Sequence, residues 1–202
     1  MCIRDSPQLF HPAEHPAENG PRIVSNRKLE TVYSIETVID AFSAVHEAFP
    51  AATLTVAGDG SQRIDLMQRA RNSVGSAAVT FVGAVDHGRM PALLRDNDLY
   101  VSTSLSDTTS VSLLEAMACG LFPVVSDIPA NREWITPGEN GLLVPVGSPM
   151  KLAAALIEAW RDRELLTRAR RINQTLVRER ATWSKSMRPV HKLFDTLAQR
   201  SN

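Results

Sequence analysis

Short β-rich runs alternate along the chain with stretches in which apolar residues recur every three or four positions, and this alternation leaves few folds open. The runs are Arg22–Ser25, Leu54–Ala57, Val79–Val82, Leu99–Ser102, Pro123–Ser126 and Gly141–Val144. Between them Ile35, Val38, Ile39, Phe42, Val45 and Phe49 fall on one helical face, as do Ile64, Met67 and Ala70, and then Met90, Leu93 and Leu94. Repeated βα units join parallel strands through right-handed crossovers. The expected fold is therefore α/β, a doubly wound and mostly parallel Rossmann-like sheet of about six strands over residues 22–178. Residues 1–21, rich in Pro, His, Glu and Asn without periodicity, read as a linker or partial N-terminal segment. Ser148 followed by Pro149 marks an N-cap with Pro at the first helical position, opening a helix over Met150–Trp160. Arg163–Val177 and Ser184–Gln199 read as helices with no strand between them, a C-terminal helical appendage.

Composition narrows the functional classes. The 202 residues suffice for one well-buried domain, and 22 basic against 22 acidic residues leave no overall field that would draw in nucleic acid or an anionic membrane. Any anion must be bound locally. Cys2 and Cys119 lie far apart without metal-type spacing, and the five histidines are scattered, so no metal site is expected. Cys119, on the apolar side of an expected helix, reads as a buried inert thiol. No apolar run approaches a membrane span and the start lacks a signal peptide's apolar core, which makes the cytoplasm the default location.

In an open α/β sheet, ligands bind beyond the carboxyl ends of the strands, so the candidate residues should lie in βα loops. Gly58-Asp59-Gly60 follows one strand, Gly83 the next, Asp107–Ser110 the next, and Asp127–Asn131 another. Gly58-Asp-Gly-Ser-Gln-Arg63 fails as a dinucleotide fingerprint because Arg63 stands at the third glycine, and no P-loop is present. Gly58 and Gly60 therefore either line the ligand or only shape a turn. The segment Ser104-Leu-Ser-Asp107-Thr-Thr-Ser-Val-Ser-Leu-Leu-Glu115 is the most specific. A strand ending near Ser102, small hydroxyl residues up to Ser112, and a helix over Val111–Cys119 would present free N–H groups and a helix dipole to an anion. Asp107 in that loop would repel a bare phosphate, so it suits the hydroxyls of a neutral sugar beside a diphosphate, with Glu115 reaching a second polyol.

Ser112-Leu-Leu-Glu-Ala-Met-Ala-Cys-Gly-Leu-Phe-Pro-Val-Val-Ser-Asp127, followed by Asn140-Gly-Leu-Leu-Val-Pro145 and preceded by Gly58-Asp-Gly60, resembles the C-terminal domain of GT-B glycosyltransferases of family 4. The resemblance runs from Arg22 to Phe194. It implies one half of a GT-B fold: the domain that holds a nucleoside diphosphate sugar, facing an N-terminal acceptor domain. It implies a retaining sugar transfer, no metal and no cofactor beyond the donor substrate. The family's acidic motif is two glutamates with seven residues between them, matched here by Asp107 and Glu115. By this resemblance Glu115 would accept from the nucleotide ribose and Asp107 would touch the donor sugar. Thr108, Thr109 and Ser110 would bind the diphosphate, and Arg27 would neutralise it as it leaves. Aspartate is about 1.5 Å shorter than glutamate, one C–C bond. The family's second cation, a lysine, falls on Tyr33, and its usual glycine on Ser34. Lys28 or Arg132 could replace the missing charge; the alignment could slip; or the protein could be a weakened enzyme.

The resemblance therefore implies a hexosyltransferase-like enzyme whose isolated half, residues 1–202, would not turn over. The alternative is a non-catalytic or degenerate nucleotide-sugar-binding domain. Residues 179–202, with Trp183 and Phe194, would form the closing helix that crosses to the acceptor domain. The stretch Arg161–Arg180 holds seven arginines against Asp162, Glu164 and Glu179. It reads as the wet face of two helices, with peripheral contact to anionic lipid at the inner membrane face as the other reading.

Overall fold

The structure, a computed structural model, describes residues 10, 19–74, 77–108 and 110–181. The expected helix at 184–199, Trp183, Phe194 and Thr109 lie outside the described residues. Six strands, β1 (Arg22–Ser25), β2 (Thr53–Ala57), β3 (Val79–Gly83), β4 (Leu99–Ser102), β5 (Phe122–Ser126) and β6 (Leu142–Val144), form one sheet in the order β3-β2-β1-β4-β5-β6. Every pairing is parallel. The expected doubly wound Rossmann-like sheet is thus present, with its order reversing between β1 and β4.

Strand residues alternate between two apolar layers, as the pleat requires. Ile23, Leu54, Val56, Leu99, Val101, Phe122 and Val124 pack under α1 (Ile35–Ala48), α2 (Arg63–Val74) and α6 (Pro149–Arg161). Val24, Tyr100 and Val125 pack on the other face with α3 (Met90–Arg95), α4 (Val111–Ala118) and the end of α7 (Arg163–Arg180). Helix α7 runs past residue 178, where the sequence reading placed a boundary, and Ala181 beyond it is buried. Phe10 belongs to the second layer at 4% exposure, so the segment read as a linker contributes a core side chain. Two short elements had no sequence signal: a 3₁₀ turn at Thr31–Tyr33 and α5 (Pro129–Arg132). Ser148 does stand at the N-cap of α6 with Pro149 next, but its side chain makes no capping bond; its carbonyl accepts from Leu152 N–H instead. Asp162, at the head of α7, caps with its side chain at 2.8 Å from Leu165 N.

The switch strands are clamped at their amino ends. Asp98 Oδ2 accepts from the Arg22 backbone N–H (3.1 Å) and from its Nε (2.9 Å), while Oδ1 accepts from Nη2 (2.9 Å). Such a bidentate pair fixes direction as well as distance. The Asp98 backbone continues the seam, donating to Arg22 O and accepting from Phe122 N–H, so three neighbouring strands start in register.

Behind the sheet, Asn140 and Asn173 lock the β5–β6 connection to α7. Asn140 Nδ2 donates to Asn173 Oδ1 (2.9 Å) and to Trp134 O (2.9 Å), its Oδ1 accepts from Thr136 N–H (2.7 Å), and Asn173 Nδ2 donates to Asn140 O (2.9 Å). Both residues are buried, Asn173 completely. The Asn-Gly-Leu-Leu-Val-Pro loop, prominent in the sequence, thus has a structural asparagine at its head. Asn173→Ala, which strands buried groups of Asn140, should lower unfolding free energy by about 2–3 kcal/mol, measurable by urea titration.

Cys119 ends α4 at 1% exposure, and burial pushes its thiol from 9.0 up to about 12. The folded protein holds the proton more tightly than the unfolded chain. Stability from this group is therefore intact below pH 9 and declines as pH rises from about 9 toward 12. In a Cys2→Ser variant, a thiol reagent at pH 8 should label no cysteine until urea unfolds the protein, and then one.

Candidate functional site

The residues that follow β1 and β4 meet at the switch point. Two residues beyond β1, Arg27 turns its guanidinium into the crevice at 8% exposure. A buried guanidinium needs partners to offset lost hydration. Arg27 Nη2 donates to Asp107 Oδ2 at 2.6 Å, and Nη1 donates to Ser110 Oγ at 3.0 Å and Ser112 Oγ at 2.6 Å. Its Nε is buried without a hydrogen-bond partner. The Tyr33 ring covers the guanidinium at 4.3 Å from its centroid, a cation–π arrangement.

Helix α4 starts where these contacts converge. Ser110 is its N-cap, with its Oγ also accepting from Leu113 N–H at 3.3 Å. Asp107 Oδ1 accepts from Thr108 N–H at 2.8 Å, so both carboxylate oxygens are engaged. One turn into α4, Glu115 is buried at 7% exposure, with Oε1 facing His87 Nδ1 at 3.9 Å. His87, on the loop between β3 and α3, also lies against the Phe10 ring at 5.5 Å between centroids.

Neighbouring loops hold this cluster from outside. Thr103 Oγ1 donates to Ser34 O (2.7 Å) and Tyr33 O (3.2 Å), and Leu105 N–H donates to Val32 O (2.8 Å), tying the β4–α4 loop to the β1–α1 loop. Ser34 has φ 47°, a left-handed conformation in which glycine is the unstrained residue. Such a conformation suits the glycine that the resemblance implies at this position; here the Ser34 hydroxyl is held between Glu36 and Thr37, each at 2.9 Å. On the other side Glu30 takes both Ser61 N–H (2.9 Å) and Ser61 Oγ (2.6 Å), which lowers its carboxyl pKa.

Gly58 and Gly60 have a packing reason of their own. A Cβ on Gly58, at φ 148°, would drive into the Arg27 carbonyl oxygen, and one on Gly60 into that of Leu29. The two glycines allow the β2–α2 loop to press against the strand end that carries Arg27.

The structure thus brings Arg27, Tyr33, Asp107, Ser110 and Ser112 together at the switch point, with Thr108 exposed beside Asp107 and Glu115 buried one turn into α4, facing His87. It brings Arg27 and Asp107 into direct contact, whereas sequence reasoning had given them separate partners. Lys28 is exposed. Arg132 is occupied by Asp127 through a two-point pair (2.6 and 3.0 Å) that lowers the aspartate's pKa, and Glu133 faces Arg180. Ser112 and His87 were not singled out in the sequence. Ser112 lay within the hydroxyl run, whereas a lone histidine in a loop carries no signal.

The arginine-rich stretch is largely taken up by the protein's own surface. Arg161 and Arg163 stack over Phe49 and Trp160, Arg180 over Trp134, and Arg168 and Arg170 donate to the carbonyls of Gly138 and Gly120. Arg171 and Arg178 are exposed. Among the described residues, no helix is long and apolar enough to cross a membrane.

Gly58→Ala should cost about 2–4 kcal/mol, from backbone collision plus an unfavourable φ. Gly138→Ala, at φ 75° with open space around it, should cost only about 1 kcal/mol. Paired chemical denaturation curves test the difference.

The family described as "Glycosyl transferases group 1" matches residues 8–175. A phosphatidyl-myo-inositol mannosyltransferase of Mycobacterium leprae is 29% identical over 199 residues, covering 97% of this chain and 51% of that protein. A glycogen synthase of Mycobacterium tuberculosis is 31% identical over 144 residues, 71% of this chain and 35% of that one. The chain spans about half the length of the mannosyltransferases it matches. Among solved structures, the C-terminal domain of the group 1 glycosyl transferase LpcC of Francisella tularensis superposes with TM-score 0.78 at 23% identity, covering 87% of this chain and 97% of that one. Anabaena HepE, solved with UDP and glucose, gives TM-score 0.80 at 20% identity over 88% of this chain and 49% of its own. With a family match over most of its length, this chain belongs to the group 1 glycosyl transferases.

Proposed function

We propose that this chain is the donor-binding half of a retaining glycosyltransferase, moving a sugar from a nucleoside diphosphate sugar to an acceptor held by a second domain. The observation that carries the reading is the meeting of Arg27 with Asp107, Ser110 and Ser112 at the switch point, one turn from Glu115. Breaking the bond between a sugar and a diphosphate leaves charge on the departing oxygens, and preplaced donors stabilise that charge. Arg27 supplies a fixed cation, Ser110 and Ser112 supply hydroxyls, and the start of α4 supplies backbone amides. In this reading these groups do the work that a divalent metal would do elsewhere, so the domain requires none. Glu115 accepts from the ribose, Asp107 meets the sugar, and Thr108 and Thr109 border the diphosphate. HepE with UDP and glucose, and TarM of S. aureus with UDP, lend support as proteins of similar fold.

The large exposed apolar residues also fit a facing domain. Val32, Ile64, Leu105, Val146 and Met150 all lie between the end of a strand and the first turn of the following helix, and Val82 lies near the end of β3. They rim the carboxyl edge of the sheet. In this reading that edge faces the acceptor domain in the cytoplasm, with Arg171 and Arg178 left for any contact with anionic lipid at the inner membrane face. The half by itself would not turn over, because chemistry requires a cleft closed from both sides.

A second reading, a domain that binds the donor but no longer transfers, has one observation in its favour: Tyr33 covers Arg27 with an uncharged ring where the family carries a lysine. Calorimetric titration with UDP, GDP and ADP, and with their common sugars, tests the main proposal. Saturable binding of one nucleotide is expected, weakened at least tenfold in Glu115→Ala by loss of a charged acceptor. No binding at millimolar concentration by a folded protein would sink the donor-site reading. Donor hydrolysis by the two-domain protein separates enzyme from binding module.

A further inference from the structure

We propose that Asp107 acts as a latch on Arg27, a positioning residue that a donor diphosphate must displace before it can use the arginine. This rests on the donor-site reading above and specifies how that site is gated. Three observations carry it. First, three of the five N–H donors of Arg27 are already taken: Asp107 Oδ2 lies 2.6 Å from Nη2, and Ser110 and Ser112 hold Nη1. Second, the guanidinium is 8% exposed and lies under Tyr33, so an anion cannot simply add from an open side. Third, the two cations that the sequence offers as substitutes do not relieve the competition: Lys28 is exposed beside Glu30 and Arg132 is paired with Asp127.

A carboxylate and a diphosphate cannot both lie against one buried guanidinium without strong mutual repulsion, since charges at such distances interact strongly in a half-buried site. Binding is therefore an exchange. The diphosphate takes Arg27, and Asp107 swings away from Nη2 into the space beside the sugar, where a carboxylate can accept from hydroxyls. The two roles that the sequence suggested separately for Arg27 and Asp107 become successive states of one pair. The serines stay in place as acceptors for Nη1, so the arginine keeps its aim while it changes partner. The latch also weakens the hold on a nucleoside diphosphate that carries no sugar, which favours product departure.

The test compares wild type, Asp107→Asn and Asp107→Glu by calorimetry with UDP, GDP and ADP and with uridine, guanosine and adenosine. Asp107→Asn should tighten the diphosphate about tenfold, the scale of removing one like charge beside a partly solvated anion. It should leave the nucleoside unchanged, and Asp107→Glu should return the diphosphate toward wild type. A merely structural residue would shift both ligands together. Unchanged or weaker diphosphate binding in Asp107→Asn, or an equal shift for the nucleoside, overturns the latch while wild-type binding keeps the donor site intact. If neither wild type nor variant binds any of the three diphosphates, latch and donor site fall together. Should Asp107→Asn unfold, the wild-type protein carries the test: the side-chain carboxyl ¹³C signal of Asp107 should move on saturation with the diphosphate and not with the nucleoside, and a signal that moves with neither overturns the exchange.

Discussion

The buried guanidinium of Arg27 sets the terms for everything at the carboxyl edge of the sheet. A charge taken out of water must be met by oppositely charged or hydrogen-bonding groups, or the fold gives way locally. Four residues answer that demand: Asp107, Ser110, Ser112 and the ring of Tyr33. Ser110 serves two needs at once, capping α4 and accepting from the arginine. Gly58 serves by having no side chain, since any Cβ there would collide with the Arg27 carbonyl.

The switch strands are held at both ends by the same chemistry. At the amino end Arg22 forks onto Asp98; at the carboxyl end Arg27 meets Asp107. The two pairs differ in what surrounds them. Asp98 belongs to the hydrogen-bonded seam that starts β4 and β5, so it cannot move without breaking register. Asp107 sits in a loop, with a neighbouring backbone N–H as its second partner. One pair is built to stay, and the other has room to exchange.

The C-terminal helices show how composition misleads when read alone. Seven arginines over Arg161–Arg180 suggest a charged face. In the fold, three cover aromatic rings and two reach backbone carbonyls at turn glycines, using the flat apolar surface of the guanidinium as much as its charge. Asn140 and Asn173 are the polar counterpart: their amides bond to each other and to backbone, which is why a buried amide pair can hold a loop to a helix.

Local sequence was enough for the sheet, because apolar periodicity, strand length and glycine placement are local properties: all six strands lie where the β-rich runs stand, within a residue or so at their ends. It also pointed to the βα loops in which the candidate residues meet, since such loops at a parallel sheet's carboxyl edge are where ligands of open sheets bind. Short elements escaped it. The 3₁₀ turn at Thr31–Tyr33 and α5 are too brief to show a period, and the core place of Phe10 depends on a chain path that no nearby residue encodes. The sequence marked Arg27 apart from the Asp107–Glu115 pair, with 80 positions between Arg27 and Asp107. It took the folded chain to show that Arg27 and Asp107 touch, that Tyr33 lies over the arginine, that Ser112 joins them, and that Gly58 is needed for backbone contact. These are relations across the switch between β1 and β4, and distance through space is set by the crossing of the whole sheet, which no local pattern carries.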